Sequence, residues 1–412
     1  AQTSLKGESG SEALGSAPYS LDHLDTAVVN VRLFGHLRAG FGLAGGAKAT
    51  IRALEAAGCK VFPVDLALAT HAAVDQGIST ISTALPEHHQ LMHVDLVHTN
   101  PNVLASSPEL LDPAQFTAPI RIGYWAWELE QFPRGWERFF ADYQEIWCPS
   151  SFTAQALVQR SPVPVVALPH LPDWPRLERL ALARQERFSK AACDHPFTFL
   201  CLFDFWSTPE RKNPQGVIEA FQRAFPLQAS QQADVRLVIK TSSSDQFPDQ
   251  AEALRSLTAS DRRIQWVDAL LPQDDLEALY LQADTLVSLH RAEGFGLTLA
   301  DAMGMGLPVI ATGYSGNTDF MPPGSACLIP WSLQRIPQTR GDYVAGSFWA
   351  EPSCNAAAEA MRSLASDPQG ARRLGLRGRE IVRERLAAER VAAVVRQRLG
   401  CLLLPEQDEV PT

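Results

Sequence analysis

Residues 284–320 read DTLVSLHRAEGFGLTLADAMGMGLPVIATGYSGNTDF, and this stretch decides the fold. Asp284 to Leu289 is rich in apolar and β-branched residues, which suits a short buried strand. Glu293-Gly294-Phe295-Gly296 makes a tight turn, and Leu297 to Met305 continues as an apolar helical run. Gly306-Leu307-Pro308 stops that helix, Val309 to Ala311 enters the next strand, and a second glycine loop follows at Gly313 to Asn317. A glycine turn between a strand and a helix presents backbone N–H groups at the positive end of the helix. Phosphates and sugar hydroxyls suit that place.

Outward from this unit, the chain is long and globular in kind. Its 412 residues exceed one ordinary core, so two domains are expected. With 46% hydrophobic and 20% charged residues, no uninterrupted apolar run reaches the ~18 residues of a membrane-spanning helix. The net charge of −10 argues against a nucleic-acid partner. Seven cysteines without a CxxC pair read as reduced thiols of a cytosolic protein. Residues 1–24, rich in Ser, Gly, Ala and Glu, read as a disordered lead-in rather than a signal peptide.

The first half alternates strands and helices. Ala27 to Phe34 is a strand that opens into a glycine-rich loop containing Gly42 and Gly45. A helix to about Ala57 and a strand at Val61 to Val64 follow. The spacing is not GxGxxG, so a dinucleotide reading is weak. Further strands end at His98 and at Tyr124. Polar groups at carboxyl ends of parallel strands collect in the binding crevice, which makes His98 and Glu128 candidate site residues, with a capping or core role equally open for His98. Trp125, Trp127, Phe132 and Trp136 are open to two readings, a platform for sugar rings or core. A proline-broken linker at 170–175 and a charged helix precede a second strand–helix series that starts at Phe197. Arg211 and Lys212 stand in the loop after its first strand, at a helix start where only an anion would relieve them. Glu210 and Asp204 are the nearest acids in sequence. No His, Cys or carboxylate cluster has metal-ligand spacing.

Glu293, seven intervening residues and Asp301 flank the GFGL turn, and GLPVIAT and the GYSGN loop come next. This succession resembles the signature of the retaining family 4 glycosyltransferases, most of all the bacterial surface-polysaccharide type, in which the second acid is usually Glu. The resemblance implies an α/β fold of two Rossmann-like domains facing a cleft (GT-B), with a C-terminal helix crossing back to the first domain. The expected parts are the lead-in at 1–24, an acceptor domain at 25–170, a linker at 171–195, a nucleotide-sugar domain at 196–370, and a returning helical segment at 371–412. The implied activity is metal-independent transfer of a hexose, with retention, from a UDP- or GDP-linked sugar to a saccharide or lipid-linked acceptor in polysaccharide assembly. No cofactor is implied beyond the donor itself.

The same resemblance assigns roles. Lys212 matches the family's diphosphate-binding cation, and Arg211 stands in for an Arg that usually lies earlier, where this chain has Asp204 to Trp206. Gly42 and Gly45 would lie near the diphosphate. Lys240, Asp268 and Leu270 would flank the base. Glu293 would bind sugar hydroxyls and Asp301 the ribose. Backbone amides of Gly294, Phe295, Gly296 and Gly316 would hold sugar and phosphate oxygens, and Leu297 and Asn317 belong to the donor-binding set. Glu128 and His98 are the acceptor-side candidates. A cytoplasmic protein with at most a weak peripheral contact at the inner face of the membrane fits this reading. The alternative is a catalytically inert saccharide- or nucleotide-sugar-binding or scaffold protein on the same fold.

Overall fold

The computed structural model describes residues 28–68, 91–190, 195–227 and 234–403. The lead-in expected at 1–24 lies outside the described residues. The first domain contains β1 (Asn30–Gly35), α1 (Gly42–Ala56), β2 (Lys60–Asp65), β3 (Val94–His98), α2 (Pro101–Ser106), β4 (Ile120–Tyr124), β5 (Glu145–Cys148), α3 (Ser151–Leu157) and β6 (Val165–Ala167). Its strands form one parallel six-stranded sheet in the order β2-β1-β3-β4-β5-β6. Central strands of such a sheet are covered on both faces, so β1 and β3 are almost continuously buried. Among these buried residues is a matched charged pair. Arg32 and Asp95 face each other in register and join through hydrogen bonds of 2.9 and 3.0 Å, which lets two charges lie inside the sheet.

The second domain begins with α4 (Trp174–Lys190) and β7 (Phe197–Leu202). It continues with α5 (Pro209–Lys212), α6 (Pro214–Ala224), β8 (Val235–Thr241), α7 (Pro248–Ser256), β9 (Ile264–Asp268), α8 (Gln273–Gln282), β10 (Thr285–Ser288), α9 (Leu297–Gly304), β11 (Val309–Thr312) and β12 (Cys327–Ile329). Its parallel sheet runs β12-β11-β10-β7-β8-β9. An antiparallel hairpin of β13 (Trp331–Arg335) and β14 (Phe348–Pro352) is inserted before α10 (Cys354–Ser366). From Trp174 onward the segment expected as a linker is a helix of this domain. Leu177 and Leu180 of α4 pack with Phe295, Leu299 and Met303.

Two helices close the chain, α11 (Pro368–Arg385) and α12 (Ala388–Leu403). α11 stays on the second domain, where Gly375 and Gly378 let it ride close over the backbone of Gly306 and Ser325. Two of its arginines are engaged there, Arg379 and Arg383 both donating to Glu178. α12 crosses back, and Val391, Val395 and Leu399 join the first domain's core with Leu33 and Leu54. Among the described residues no helix is long and apolar enough to cross a membrane.

The strand orders place the chemistry. In each sheet the chain first winds outward and then returns to the other side of its starting strand, at β1/β3 and at β7/β10. Ligand crevices of open α/β sheets form at the carboxyl ends of the strands at such reversals. The loops leaving β7 and β10 carry Arg211-Lys212 and Glu293-Gly294-Phe295-Gly296.

Candidate active site

The loop after β7 is built to fix its cations. Thr208 and Asn213 have φ of 61° and 55°, in the left-handed region, so the backbone turns sharply on both sides of the single turn α5. Asn213 caps α6 by accepting from the Gly216 N–H at 3.0 Å, and its amide donates to Leu289 O at 2.9 Å, which ties the loop to the exit of β10. Arg211 and Lys212 therefore sit at the end of α5, not at the start of α6. The partner that offsets them is neither Glu210 nor Asp204 but Glu293, at 2.5 Å from the Lys212 Nζ and 3.5 Å from Arg211. Arg211 is buried, donates to Ala292 O at 2.8 Å and lies 3.9 Å from Glu128.

The electrostatics follow from this crowding. Burial alone would raise the Glu293 carboxyl, but Lys212 and Arg211 outweigh it and hold the group down at about 2. Burial opposes the Arg211 charge, yet Tyr343, Glu128 and Glu293 keep that guanidinium above its ordinary range. A cation and a carboxylate face each other where the loops of β7 and β10 meet. Chemically, the pair can bind an anionic group through Lys212 and polar hydroxyls through Glu293.

The two glycine loops of the second domain are laced together. Ser315 Oγ accepts from Glu293 N–H at 2.8 Å, and Gly316 N–H donates to Glu293 O at 2.9 Å. A Cβ on Gly316 would lie 2.0 Å from Gly294 O, so only glycine fits there. Gly296 at φ +95° is likewise demanded by conformation. The Gly316 amide expected to face a ligand is thus engaged within the chain. Asn317 is fully buried, donating to Thr312 O at 3.1 Å while its Oδ1 lies 3.1 Å from His290 Nε2. These two residues shape the loop from behind. Gly294, Phe295 and Leu297 stand at the domain junction. Gly294 O accepts from Ser150 Oγ at 2.7 Å, the Phe295 ring meets His170 edge-on at 4.9 Å, and Leu297 lies against Gly45 of α1. Gly42 opens α1 and faces open space where a side chain would begin.

The other candidates sit in different surroundings. Asp301 pairs with Arg176 of α4 at 2.8 Å, and Arg176 also binds Glu277 at 2.8 Å, so the carboxylate already has a partner on the face of α9. Lys240, at the end of β8, is lowered by burial against the pull of Asp204 and Asp268. Asp268 binds Arg255, and Leu270 is exposed. His98 is buried with both ring nitrogens unpartnered. It stacks on Tyr124 at 4.2 Å, and burial lowers it to about 3. It belongs to a buried stack with Tyr124 and His170 that α1 can approach because Gly46 has no side chain. Trp125, Trp127 and Trp136 are buried and pack on one another, which settles them as core. Sequence reasoning missed Arg176, His170, Ser150 and Tyr343, none of which sits in a readable motif. Among the described residues no cluster of three or more His, Cys, Asp or Glu side chains is placed to hold a metal ion.

Residues 198–367 match the family described as Glycosyl transferases group 1. No curated protein matches the sequence. Solved structures of the same fold include sucrose-phosphate synthase from Thermosynechococcus elongatus, at 17% identity and TM-score 0.60 over 91% of this chain and 99% of that one. They also include Anabaena HepE in complex with UDP and glucose, at 13% identity and TM-score 0.58 over 90% of this chain and 100% of that one. A glycosyltransferase from Rickettsia africae is similar at 12% identity and TM-score 0.61, over 92% and 100%. These likenesses show the fold, a two-domain GT-B architecture.

Proposed function

We propose that this chain is a glycosyltransferase that moves a hexose, with retention of configuration, from a UDP- or GDP-linked sugar to a saccharide or lipid-linked acceptor. The observation that carries the reading is the Lys212–Glu293 pair at the β7/β10 reversal, beside the GFGL turn. Lys212 would exchange its contact with Glu293 for the donor's diphosphate, stabilising charge as the nucleotide departs. Glu293, released, would accept hydrogen bonds from the sugar's hydroxyls. Arg211 would act from behind, as a buried charge that keeps Glu293 ionised. Retention would follow a front-face course in which a diphosphate oxygen helps deprotonate the acceptor. The match of 198–367 to group 1 glycosyl transferases supports the reading, as does the fold shared with HepE, a protein solved in complex with UDP and glucose. Positive charge from Lys212 makes the proposed reaction independent of a metal or resident cofactor. Polysaccharide assembly is the role we propose for it.

The test is release of nucleotide from a panel of UDP- and GDP-sugars with and without simple saccharides. Acceptor-dependent release, unchanged by saturating EDTA, is the expected outcome. Binding of donors without any turnover would support instead the inert binding protein, a reading that the Arg176 contact of Asp301 and the engaged Gly316 amide favour.

A further inference from the structure

The loop between β13 and β14 leaves the second domain and lies on the first. Ile336, Trp349 and Ala350 enter the same core cluster as Trp127, Trp136 and Phe140. Ser347 Oγ donates to Gln131 Oε1 at 3.0 Å. The Tyr343 ring stacks on Trp127, with centroids 5.5 Å apart and planes 17° from parallel, and its hydroxyl donates to Glu128 Oε2 at 3.0 Å. Glu128 leaves β4 on the first domain and is mostly covered. Its other oxygen points toward Arg211 at 3.9 Å, and its Cγ lies 3.8 Å from where a side chain on Gly294 would begin. One hydroxyl from the inserted hairpin therefore holds a first-domain carboxylate beside the GFGL turn.

We infer that Tyr343 is a positioning residue for transfer, fixing the Glu128 carboxylate so that its other oxygen, on the Arg211 side, binds an acceptor hydroxyl over Gly294 and orients the acceptor for the front-face step. This rests on the proposed function, which places the donor sugar at that turn. A flexible Glu side chain otherwise samples several rotamers, whereas stacking on Trp127 and the hydrogen bond from Tyr343 leave it one.

Tyr343→Phe removes the hydroxyl and keeps the stacked ring. With the best donor of the panel and p-nitrophenyl glucoside as acceptor, kcat should fall by about tenfold or more, the scale of one lost hydrogen bond to a charged group. The donor KM, and the Kd for the free nucleotide by calorimetry, should not move. Ser347→Ala, which loosens the hairpin elsewhere, should keep wild-type kcat. Adding Tyr343→Phe to Glu128→Gln should cost nothing more, since Tyr343 acts through Glu128. Wild-type kcat in Tyr343→Phe, additive losses in the double variant, or equal losses in Ser347→Ala would overturn the proposal and leave the hairpin a structural clasp. A wild-type chain that releases nucleotide from no donor would overturn the proposed function itself, and this inference with it.

Discussion

Lys212 and Glu293 lie 81 residues apart in sequence and 2.5 Å apart in space, each the other's counter-charge. Removing Lys212 removes a stabiliser of the leaving diphosphate, so Lys212→Ala should lower kcat by ~10²–10³ with little change in donor KM. It also leaves a buried carboxylate with only the more distant Arg211, so the melt should fall as well, unlike a surface Lys. Steady-state kinetics beside thermal melts check both, and wild-type kcat would remove Lys212 from the reaction. His98 makes a residue-scale prediction of its own. Its folded pKa is depressed by burial from 6.5 to about 3, so the unfolded chain binds the proton more readily between those values. The stability it contributes is complete above pH ~6.5 and is lost as pH falls, by up to about 1.4 kcal/mol per pH unit. Urea unfolding at pH 7 and pH 5 should show the loss, and His98→Phe, which keeps a ring on Tyr124, should make it smaller, with His170 and His290, also lowered by burial, carrying the rest. An unchanged slope in His98→Phe would assign the acid sensitivity to other groups.

Between elements, the junction of α4 with α9 decides what Asp301 is for. Arg176 takes one of its oxygens, and the side chain remains a quarter exposed at 26%. Asp301→Asn should weaken nucleotide binding by ~1.5–3 kcal/mol if the carboxylate also accepts from ribose hydroxyls, and the loss should shrink for a 2′,3′-dideoxy nucleotide. Calorimetry with both nucleotides gives the answer. Equal losses would mean that Asp301 only ties α9 to α4. These elements also show what was legible beforehand. The strand–turn–helix–strand around Gly294 could be read because Gly296 and Gly306 need positive φ and the strands need unbroken apolar runs. The partners of Lys212 and Asp301 could not, because nothing local brings Glu293 or Arg176 to them; only the sheet order and the packing of α4 do. The hairpin was equally invisible. All five residues of β13 are exposed, so it carries no buried face for a period-two pattern to mark, and Tyr343 sits in a loop whose role depends on the opposite domain.

At the scale of the molecule, α12 joins the end of the chain to the domain where it began. Its apolar face is shared with the first domain's core, and Arg398 donates at 2.7 Å to Glu145, a carboxylate at the start of β5 with no exposure. Burial raises the Glu145 pKa, and Arg398 opposes that rise without cancelling it. The folded chain therefore holds this proton more tightly than the unfolded one, and stability from this site falls as pH rises from the ordinary Glu value through the raised one. Taking away Arg398 removes the opposing charge, so the raised value climbs further and the penalty at neutral pH grows. Arg398→Ala should destabilise the chain by about 1–3 kcal/mol at pH 8 and by clearly less at pH 5, where Glu145 can be protonated. Glu145→Gln in the same background should recover much of the loss, because a neutral amide needs no counter-charge there. Urea unfolding of the wild type and the two variants at both pH values measures this. A pH-independent loss that Glu145→Gln does not relieve would mean that α12 has come away from the first domain and let water reach Glu145, making the crossing helix depend on Arg398 for its attachment rather than on Val391, Val395 and Leu399.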